Sequence, residues 1–445
     1  MTRPRSIALV NPLGDYGVGS YTHELAEGLV ACQVPTDVFA SGQVETASLP
    51  RHHGFFPVLG SLLLRQGDRL DRRWQAPSLA SAPSHAKAPG TQDSRSRERH
   101  PLLNRAREAV VPKLVPIELA AYLRWKRYDV VWTQWPVMRR GGALLWTWSR
   151  RLGRTVVHTV HDVRPHEPIR GYFDLCRTIY ACSELLVVHS RATAVELLTL
   201  NPEVTGKVLV APHGLYTVYP MRRESRGAVR QRLGVADDEA LVLCFGGIRP
   251  YKNIEAVLDA LAADGDGKMV IVIAGRESGY PDLVPGDPVG RVRRLVSERK
   301  LERRVRLLPG PFDPTETADL FAATDVALLP YLHSSGSGLL LLCMTFGVHI
   351  AATPVGGMDE YLEGYPRATL LEGPLPAQIG AGLEAAIAAA RRYPPVPVGR
   401  APYLEWPAIA AYTLDALDRG PPDPLRTDGF GALLANDQAP PARSA

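Results

Sequence analysis

Residues 243–263, LCFGGIRPYKNIEAVLDALAA, change from one secondary-structure pattern to another halfway along. The apolar run Leu241–Phe245 ends at Gly246 and Gly247, and a helical pattern begins at Asn253. A strand that turns into a helix through glycines leaves unpaired backbone N–H groups at the helix start, and the helix dipole attracts an anion there. The stretch therefore predicts an anion-binding turn at the carboxyl end of a strand, where open α/β sheets bind ligands.

Two cations lie in this turn, Arg249 and Lys252. Arginine offers a planar fork of donors and lysine offers a compact charge, so together they suit a diphosphate. The alternative interpretation is a pair of solvated loop residues without a ligand. The position at a strand end favours a ligand, and we predict a diphosphate site formed by Gly247, Arg249 and Lys252.

The composition is that of a globular protein of two or three domains, with 445 residues, 45% of them hydrophobic and 22% charged. A net charge of +5 gives no indication of a nucleic-acid partner. The five cysteines form no Cys-x-x-Cys pair, which predicts reduced thiols. The first apolar run is too short for a signal peptide, and no run is long enough to span a membrane. These observations predict a cytoplasmic protein.

Short apolar runs alternate with helical segments in two series, each with its own Gly-rich strand-to-helix turn. The predicted strands of the first series are Ile7–Val10, Asp129–Thr133, Val156–Val160, Leu185–His189 and Val208–Ala211. Those of the second are Leu241–Phe245, Met269–Ala274, Val305–Leu308, Val326–Leu329 and Ile350–Thr353. Continuous apolar strands interleaved with helices indicate parallel sheets covered on both faces. The sequence therefore predicts an α/β fold with two Rossmann-like domains.

We place the first domain at residues 1–213 and the second at 214–400. A helical pattern within 401–420 follows the second series, and we expect this helix to return to the first domain. Residues 76–100 are rich in Ala, Pro and Ser and then charged, which predicts a mobile insertion. The composition of residues 421–445 likewise predicts a disordered tail.

Two more turns combine glycines or serines with a helix start. The first contains Gly14, Gly17 and Gly19; its spacing does not fit a dinucleotide fingerprint, but it allows a ligand to approach the backbone closely. The second precedes an apolar helix and consists of Ser334, Ser335, Gly336, Ser337 and Gly338. Its amides and hydroxyls can bind phosphate, or they can form a plain helix cap.

The order of several motifs resembles the GT-B-fold glycosyltransferases of the family-4, or group 1, type. The motifs are TVHD (159–162), APHG (211–214), FGGIRPYKN (245–253) and SGSGLLLLCMTFG (335–347). The resemblance implies two Rossmann-like domains facing each other across a cleft. It implies a nucleotide-diphosphate sugar as donor on the second domain. On the first domain it implies a glycan or lipid-linked saccharide as acceptor, in polysaccharide synthesis. It also implies that Arg249 and Lys252 clamp the diphosphate, with no metal and no other cofactor.

The chain departs from this family at two places. Aligned from Lys252, the arginine of the family motif falls at Gly247, so Arg249 would substitute for it. The Glu-x7-Glu element falls at Ser334 and Leu342, and leucine cannot hydrogen-bond a sugar or a ribose. Retaining or inverting stereochemistry therefore stays open, as do the base, the sugar and the acceptor. Glu360 is a candidate to replace the missing ribose contact.

His161 is the first candidate for the catalytic base, because it ends a predicted strand at the cleft and matches the family motif. Asp162 beside it and Asp15 in the first Gly-rich loop are further candidates, and each has the alternative of being an ordinary polar loop residue. His213, at the start of the linker, either contacts substrate or only shapes the crossover between the domains.

Tryptophan and cation clusters at 124–127 and 139–154 suit an anionic membrane surface, and they suit a solvated helix equally. The membrane alternative would put the protein at the inner face of the membrane. Sugar transfer is the leading predicted function. The alternatives are a non-catalytic GT-B partner protein and a nucleotide-sugar epimerase, whereas neither Gly-rich turn has the spacing of an NAD-dependent oxidoreductase.

Overall fold

The computed structural model describes residues 5–11, 17–41, 51–59, 123, 126–136, 142–165, 171–219, 224–265, 267–276, 287–363, 365–392 and 404–425. Gly14, Asp15, the insertion predicted at 76–100 and most of the tail predicted at 421–445 lie outside these ranges.

The first sheet has seven strands in the order β3-β2-β1-β4-β5-β6-β7, and every pairing is parallel. The strands are β1 (Ile7–Asn11), β2 (Thr36–Ser41), β3 (Gly54–Leu59), β4 (Val130–Thr133), β5 (Thr155–Thr159), β6 (Leu185–Val188) and β7 (Val208–Val210). The described helices around it are α1 (Gly17–Ala31), α2 (Gly142–Arg151), α3 (Tyr172–Cys182) and α4 (Arg191–Leu200). All five predicted strands of the first series are present, whereas β2 and β3 were not predicted.

The second sheet has six parallel strands in the order β10-β9-β8-β11-β12-β13. They are β8 (Ala240–Phe245), β9 (Met269–Gly275), β10 (Val305–Pro309), β11 (Val326–Leu329), β12 (His349–Ala352) and β13 (Ala368–Leu370). The helices are α5 (Arg226–Leu233), α6 (Ile254–Ala263), α7 (Pro288–Glu298), α8 (Pro314–Ala323), α9 (Gly338–Thr345), α10 (Met358–Leu362) and α11 (Pro376–Arg392). The five strands predicted for the second series are confirmed, and β13 is additional.

The strands are continuous apolar runs because helices cover both faces of each sheet. Successive side chains of a strand point to opposite faces. In β8, Leu241 and Leu243 accordingly belong to one buried cluster, while Val242 and Cys244 belong to another on the opposite face. The same alternation in β1 divides the first domain's core into two clusters. The predicted α/β architecture is confirmed.

In both sheets the strand order reverses at one point, between β1 and β4 and between β8 and β11. Loops that leave the carboxyl ends of the strands on either side of such a reversal diverge and open a crevice. The turn after β8 lies at one of these points. The topology therefore directs attention to the residues that follow Phe245.

The last described helix, α12 (Trp406–Arg419), packs on α1 in the core of the first domain, as predicted. The Trp406 indole donates a 2.6 Å hydrogen bond to the carbonyl oxygen of Leu215. A Cβ atom added to Gly28 of α1 would lie 2.6 Å from the Trp406 carbonyl oxygen, so only glycine permits this approach. The domain boundary at residues 213 and 214 stays a prediction.

Within the described ranges, no helix is both long enough and apolar enough to cross a membrane.

Candidate active site at the ends of two sheets

The turn after β8 needs glycine because two backbones meet there. Gly246 adopts a left-handed φ of 88° and donates its N–H to the carbonyl oxygen of Ala274 at 2.9 Å. A Cβ on Gly275, at the end of β9, would lie 2.0 Å from the Gly246 carbonyl oxygen. Close packing of the two strand ends keeps side chains away from this turn, so a ligand could approach its backbone directly.

Lys252 is not a solvated loop residue. It ends a short 3-10 turn, Pro250–Lys252, and its side chain is buried. Its Nζ donates to the carbonyl oxygen of Phe245 at 2.8 Å and lies 5.6 Å from the centre of the Tyr331 ring. Burial, followed by the charge of Arg249, lowers its pKa from 10.5 to about 8. A cation held in so little water interacts strongly with an arriving anion.

Arg249 begins the same turn and is half-buried. Its Nε lies 3.8 Å from where a Cβ on Gly247 would be, so its guanidinium follows the glycine backbone. A cavity beside Lys252 lies between the ends of β8, β9 and β11. Apart from Lys252, most of the residues that line it are apolar: Cys244, Phe245, Gly246, Gly247, Ile248, Lys252, Ile254, Ile273, Leu328, Pro330 and Tyr331.

The loop Ser334–Gly338 of the second domain contacts the first domain. Ser335 is buried, and its hydroxyl accepts from the backbone N–H of Val163 at 3.3 Å. Its carbonyl oxygen accepts from the Thr193 hydroxyl at 2.6 Å. The Ser335 side chain therefore binds the first domain in this structure, two residues beyond His161.

The other members of the loop shape the start of α9. Ser337 caps the helix by accepting from the backbone N–H of Leu340 at 3.3 Å. Gly336 has a positive φ of 154°, and its N–H donates to the Ser334 hydroxyl at 3.2 Å. A Cβ on Gly338 would lie 2.7 Å from the Tyr216 hydroxyl. The loop is thus a helix cap as well as a candidate phosphate contact.

Glu360 also crosses between the domains. Its two carboxylate oxygens accept from the backbone N–H groups of Arg191 and Ala192, each at 2.8 Å. These amides begin α4, where a negative charge is favourable. Gly357, which precedes α10, permits the approach, because a Cβ there would lie 2.3 Å from the Ser190 Cβ. The Glu360 carboxylate, the candidate ribose contact, is therefore hydrogen-bonded to the start of α4 in this structure.

Three histidines surround Tyr21 of α1 at the carboxyl ends of the first sheet. The Tyr21 ring centre lies 4.8 Å from that of His161, 5.0 Å from that of His189 and 5.1 Å from that of His213. His161 and His189 are themselves 5.3 Å apart, and Trp135 stacks on His161 at 6.4 Å. The fold brings together rings that come from five separate parts of the chain.

Burial keeps this histidine cluster neutral. Desolvation lowers the pKa of His189 to about 4 and that of His213 to about 3, and it holds the pKa of His161 well below its ordinary value. His189 uses Nδ1 to donate to the carbonyl oxygen of Ala211 at 3.0 Å, which leaves Nε2 as its lone-pair nitrogen. The buried Nε2 atoms of His161 and His189 have no hydrogen-bond partner. An uncharged imidazole with an unpartnered nitrogen can accept a proton or bind a sugar hydroxyl.

The other predicted residues have varied places. The Asp162 carbonyl oxygen accepts from the Tyr172 hydroxyl at 2.6 Å. His213 is buried, and its Nδ1 lies 2.7 Å from the carbonyl oxygen of Gly214. Gly17 and Gly19 lie in the first turn of α1, and Gly14 and Asp15 are outside the described residues.

Two polar residues of this crevice were not predicted from the sequence. Gln134, directly after β4, is fully buried, and neither its amide oxygen nor its amide nitrogen has a hydrogen-bond partner. Buried Asn11 ends β1 beside it and donates to the Thr22 hydroxyl at 3.2 Å. Both lie at carboxyl ends of strands beside the point where the strand order reverses, where open α/β sheets bind ligands. This rule could have identified them from the sequence.

An Asp-x-Asp sequence does occur at Asp264 to Asp266, a pattern often associated with metal-bound nucleotides. Asp264, its first residue, lies between α6 and β9 and so at the amino ends of the strands, at the opposite edge from the cavity. The Asp264 carboxylate forms an ion pair with Arg304. Asp264 therefore does not belong to the candidate site.

Residues 225–392, which contain the second sheet and its helices, match the family model of group 1 glycosyl transferases. The chain is 26% identical to D-inositol 3-phosphate glycosyltransferase of Streptosporangium roseum over 56% of its own length and 58% of that protein. It is 27% identical to the Mycobacterium tuberculosis H37Ra protein of the same name, over 55% and 51% of the two chains. The chain thus spans about half to three fifths of the length of these curated relatives.

Solved structures cover more of the fold. Sucrose-phosphate synthase from Thermosynechococcus elongatus aligns with a TM-score of 0.66 at 17% identity, over 93% of this chain and 98% of that one. The Anabaena protein HepE in complex with UDP aligns with a TM-score of 0.58 at 16% identity, over 93% and 99%. Likeness at this identity concerns the fold, and together with the family match it confirms the GT-B glycosyltransferase resemblance.

Proposed function

We propose that the protein transfers a sugar from a nucleotide-diphosphate donor to a hydroxyl acceptor. The observation that carries the proposal is the turn after β8, where Lys252 is buried at the carboxyl end of the strand with Arg249 beside it. This turn lies inside the segment that matches the group 1 glycosyl transferases. The UDP complex of HepE, a protein of similar fold, agrees with a nucleotide donor.

Positive charge at this turn would act on the departing nucleotide. Negative charge grows on the diphosphate as the glycosidic bond breaks, so cations that are already in place stabilise the transition state more than the ground state. Lys252 supplies a compact charge in surroundings of low dielectric, and Arg249 supplies a second one at the rim. The transfer proposed here uses these two side chains instead of a metal ion.

His161 is the residue proposed to meet the reacting sugar. Its ring is neutral because burial lowers its pKa, and its Nε2 is unpartnered. The Ser335 hydroxyl bonds the backbone of Val163, so the loop that follows His161 touches the loop that begins α9. In this proposal the sugar attached to the diphosphate lies at this junction, facing the acceptor on the first domain. Gln134, with its unpartnered amide, is a further candidate contact there.

The acceptor proposed is a saccharide, either free or linked to a lipid. Membrane-surface association is part of the lipid-linked version, and two observations support it. Trp148 of α2 and Phe173 of α3 are exposed by 40% and 49%, and basic residues Arg150 and Arg151 end α2. Aromatic side chains beside arginines are typical of surfaces that bind anionic lipid.

A non-catalytic GT-B protein is the second candidate, and one observation favours it. Leu342 occupies the position of the second family glutamate, and its side chain is buried in the core of the second domain. A leucine in that place removes a contact with the nucleotide-sugar donor that the resemblance implies. Diphosphate binding without turnover would be the result expected of such a protein.

Turnover with a panel of nucleotide sugars distinguishes the two candidates. We expect the purified chain to release UDP, GDP or ADP from one sugar donor, at a rate little changed by Mg²⁺. His161→Ala should slow that release by about a hundredfold or more, the usual contribution of a positioned acid or base. The matched control is His52→Gln, whose side chain is 77% exposed and touches Glu27 instead of the cluster. Binding of a nucleoside diphosphate with no release from any donor would favour the non-catalytic protein.

A further inference from the structure

A second group of chemically active side chains lies outside the cleft. His23 and Glu27 are one helical turn apart on α1, and His53 lies just before β3. Their ligand atoms are all within 4.8 Å of one another. Nε2 of His53 is 3.2 Å from Nδ1 of His23 and 3.7 Å from a carboxylate oxygen of Glu27. Ligand atoms around a tetrahedral zinc ion, with bonds of about 2.0–2.1 Å, are separated by about 3.3–3.4 Å.

The hydrogen bonds of His53 fix which of its nitrogens carries the lone pair. Nδ1 lies 3.0 Å from the carbonyl oxygen of Gly54, and a carbonyl only accepts, so Nδ1 is the protonated nitrogen. In the neutral ring Nε2 is then a lone pair directed toward His23 and Glu27. A backbone carbonyl on the far nitrogen is the usual arrangement that orients a metal-bound histidine.

Burial also prepares the imidazoles to act as ligands. His23 and His53 are 6% and 8% exposed. Desolvation lowers the pKa of His23 to about 4 and lowers that of His53, so both are neutral at pH 7. Hydrogen bonds from His52 outweigh burial and hold the pKa of Glu27 below its ordinary value, so this carboxylate is ionised. Two neutral imidazoles and one carboxylate form a donor set for zinc and related divalent ions.

We propose that His23, Glu27 and His53 bind one divalent transition-metal ion of the zinc class. The ion would join α1 to the segment that leads into β3, the edge strand of the first sheet. The three side chains leave one position of a tetrahedron for solvent. His52, whose Nδ1 is 2.7 Å from the other Glu27 oxygen, orients the carboxylate without being a ligand.

This site is separate from the histidine cluster of the cleft, although both use α1. His23 is two residues beyond Tyr21, a rotation of roughly 200° around the helix. Tyr21 therefore contacts His161 on one side while His23 contacts His53 on the other. The metal proposal does not depend on the proposed sugar transfer, and each can fail without the other.

The test is metal binding by the full chain after removal of metal with a chelator. Calorimetric titration with Zn²⁺ is expected to show one ion per chain, and Co²⁺ in its place should give the intense visible absorption of a tetrahedral site. Zn²⁺ should also raise the melting temperature, because it binds the native state, whereas Mg²⁺, which prefers oxygen ligands, should not. The variants His53→Gln and His23→Gln should lose the absorption and at least about tenfold in affinity.

The matched control is His333→Gln, an exposed histidine of the second domain outside this site, which should keep one ion per chain. If a histidine variant fails to fold, Glu27→Gln provides the second test, because it keeps the shape of the side chain and removes the charge. Stoichiometric Zn²⁺ binding that is equal in the wild type and in folded His53→Gln would overturn the proposal. So would the absence of Zn²⁺ binding by the wild type, and the 3.2 Å contact would then be a hydrogen bond between two histidines.

Discussion

The Lys252 ammonium donates a 2.8 Å hydrogen bond to the carbonyl oxygen of Phe245, the last residue of β8. This bond holds a buried cation at the end of the strand, where the glycine turn begins. The lysine therefore needs no large rearrangement to meet an anion at Gly246 and Gly247. Preorganised charge of this kind is what stabilises a leaving group effectively.

The lowered pKa of Lys252 makes diphosphate binding dependent on pH. With a pKa of about 8 in the absence of ligand, Lys252 is charged below that pH and loses its proton above it. Because a diphosphate prefers the charged form, affinity should be constant below about pH 7.5 and fall by up to about tenfold per unit above about pH 8.5. Burial raises the pKa of Cys244 to about 12 and raises that of Cys343, so neither thiol titrates in this window.

Calorimetric titration of the nucleoside diphosphate from about pH 7 to 9.5 checks this dependence, since the phosphate itself titrates lower, near about pH 6. Lys252→Arg is the control, because a guanidinium stays charged throughout and should flatten the profile. An affinity that does not change with pH in the wild type would contradict a contact between the phosphates and a lysine whose pKa lies near 8.

Glu360→Gln should weaken the junction between the domains. The amide keeps one acceptor oxygen but loses the charge that complements the start of α4, where Arg191 and Ala192 donate. We expect a loss of about 1 kcal/mol in the free energy of unfolding, as for other helix caps, measured in urea. Glu363→Gln, an exposed neighbour, should have no effect. A variant of unchanged stability but much lower diphosphate affinity would instead favour Glu360 as a ribose contact.

Gly28→Ala should loosen the contact between α1 and α12. The new methyl group would lie 2.6 Å from the Trp406 carbonyl oxygen, a backbone atom that cannot move without moving the helix. Overpacking of this kind costs about 1–3 kcal/mol, measurable by thermal or urea unfolding. Gly17→Ala is the control: its Cβ would have nothing within 4 Å, so alanine should be neutral or slightly stabilising there. Equal effects of the two substitutions would contradict the packing argument.

The sequence was sufficient for the fold because the strands are buried on both faces. Runs such as Leu241–Phe245 and Met269–Ala274 are almost wholly apolar, and the helices between them are equally distinct. Strand β2 escaped prediction because Thr36 and Asp37 interrupt its apolar pattern. Strand β13 escaped because its three residues, Ala368–Leu370, are not fully buried and include a threonine, so they form no apolar run. Local signals thus identify strands with an unbroken apolar run better than strands whose run is interrupted by polar residues.

The candidate site was predictable only where one local motif carries it. The turn with Arg249 and Lys252 is such a motif, although its spacing says nothing of the burial that lowers the pKa of Lys252. The cluster of Tyr21, His161 and His189 could not be assembled, because its members meet only when three distant segments are folded together. The metal site proposed above could not be predicted from the sequence for the same reason. His23 and Glu27 have helical spacing, but only the tertiary structure brings His53 to them.

Thermal unfolding with UDP, GDP, ADP and CDP tests whether Lys252 binds a nucleoside diphosphate. One of them, at about a hundred times its Kd, should add about 2.7 kcal/mol to the native state of the wild type. The same ligand should give much less stabilisation to Lys252→Met, which keeps the length of the side chain without its charge, and full stabilisation to Lys268→Ala, whose side chain is 60% exposed. Equal stabilisation of the wild type and Lys252→Met, or none of the wild type by any diphosphate, would contradict the claim.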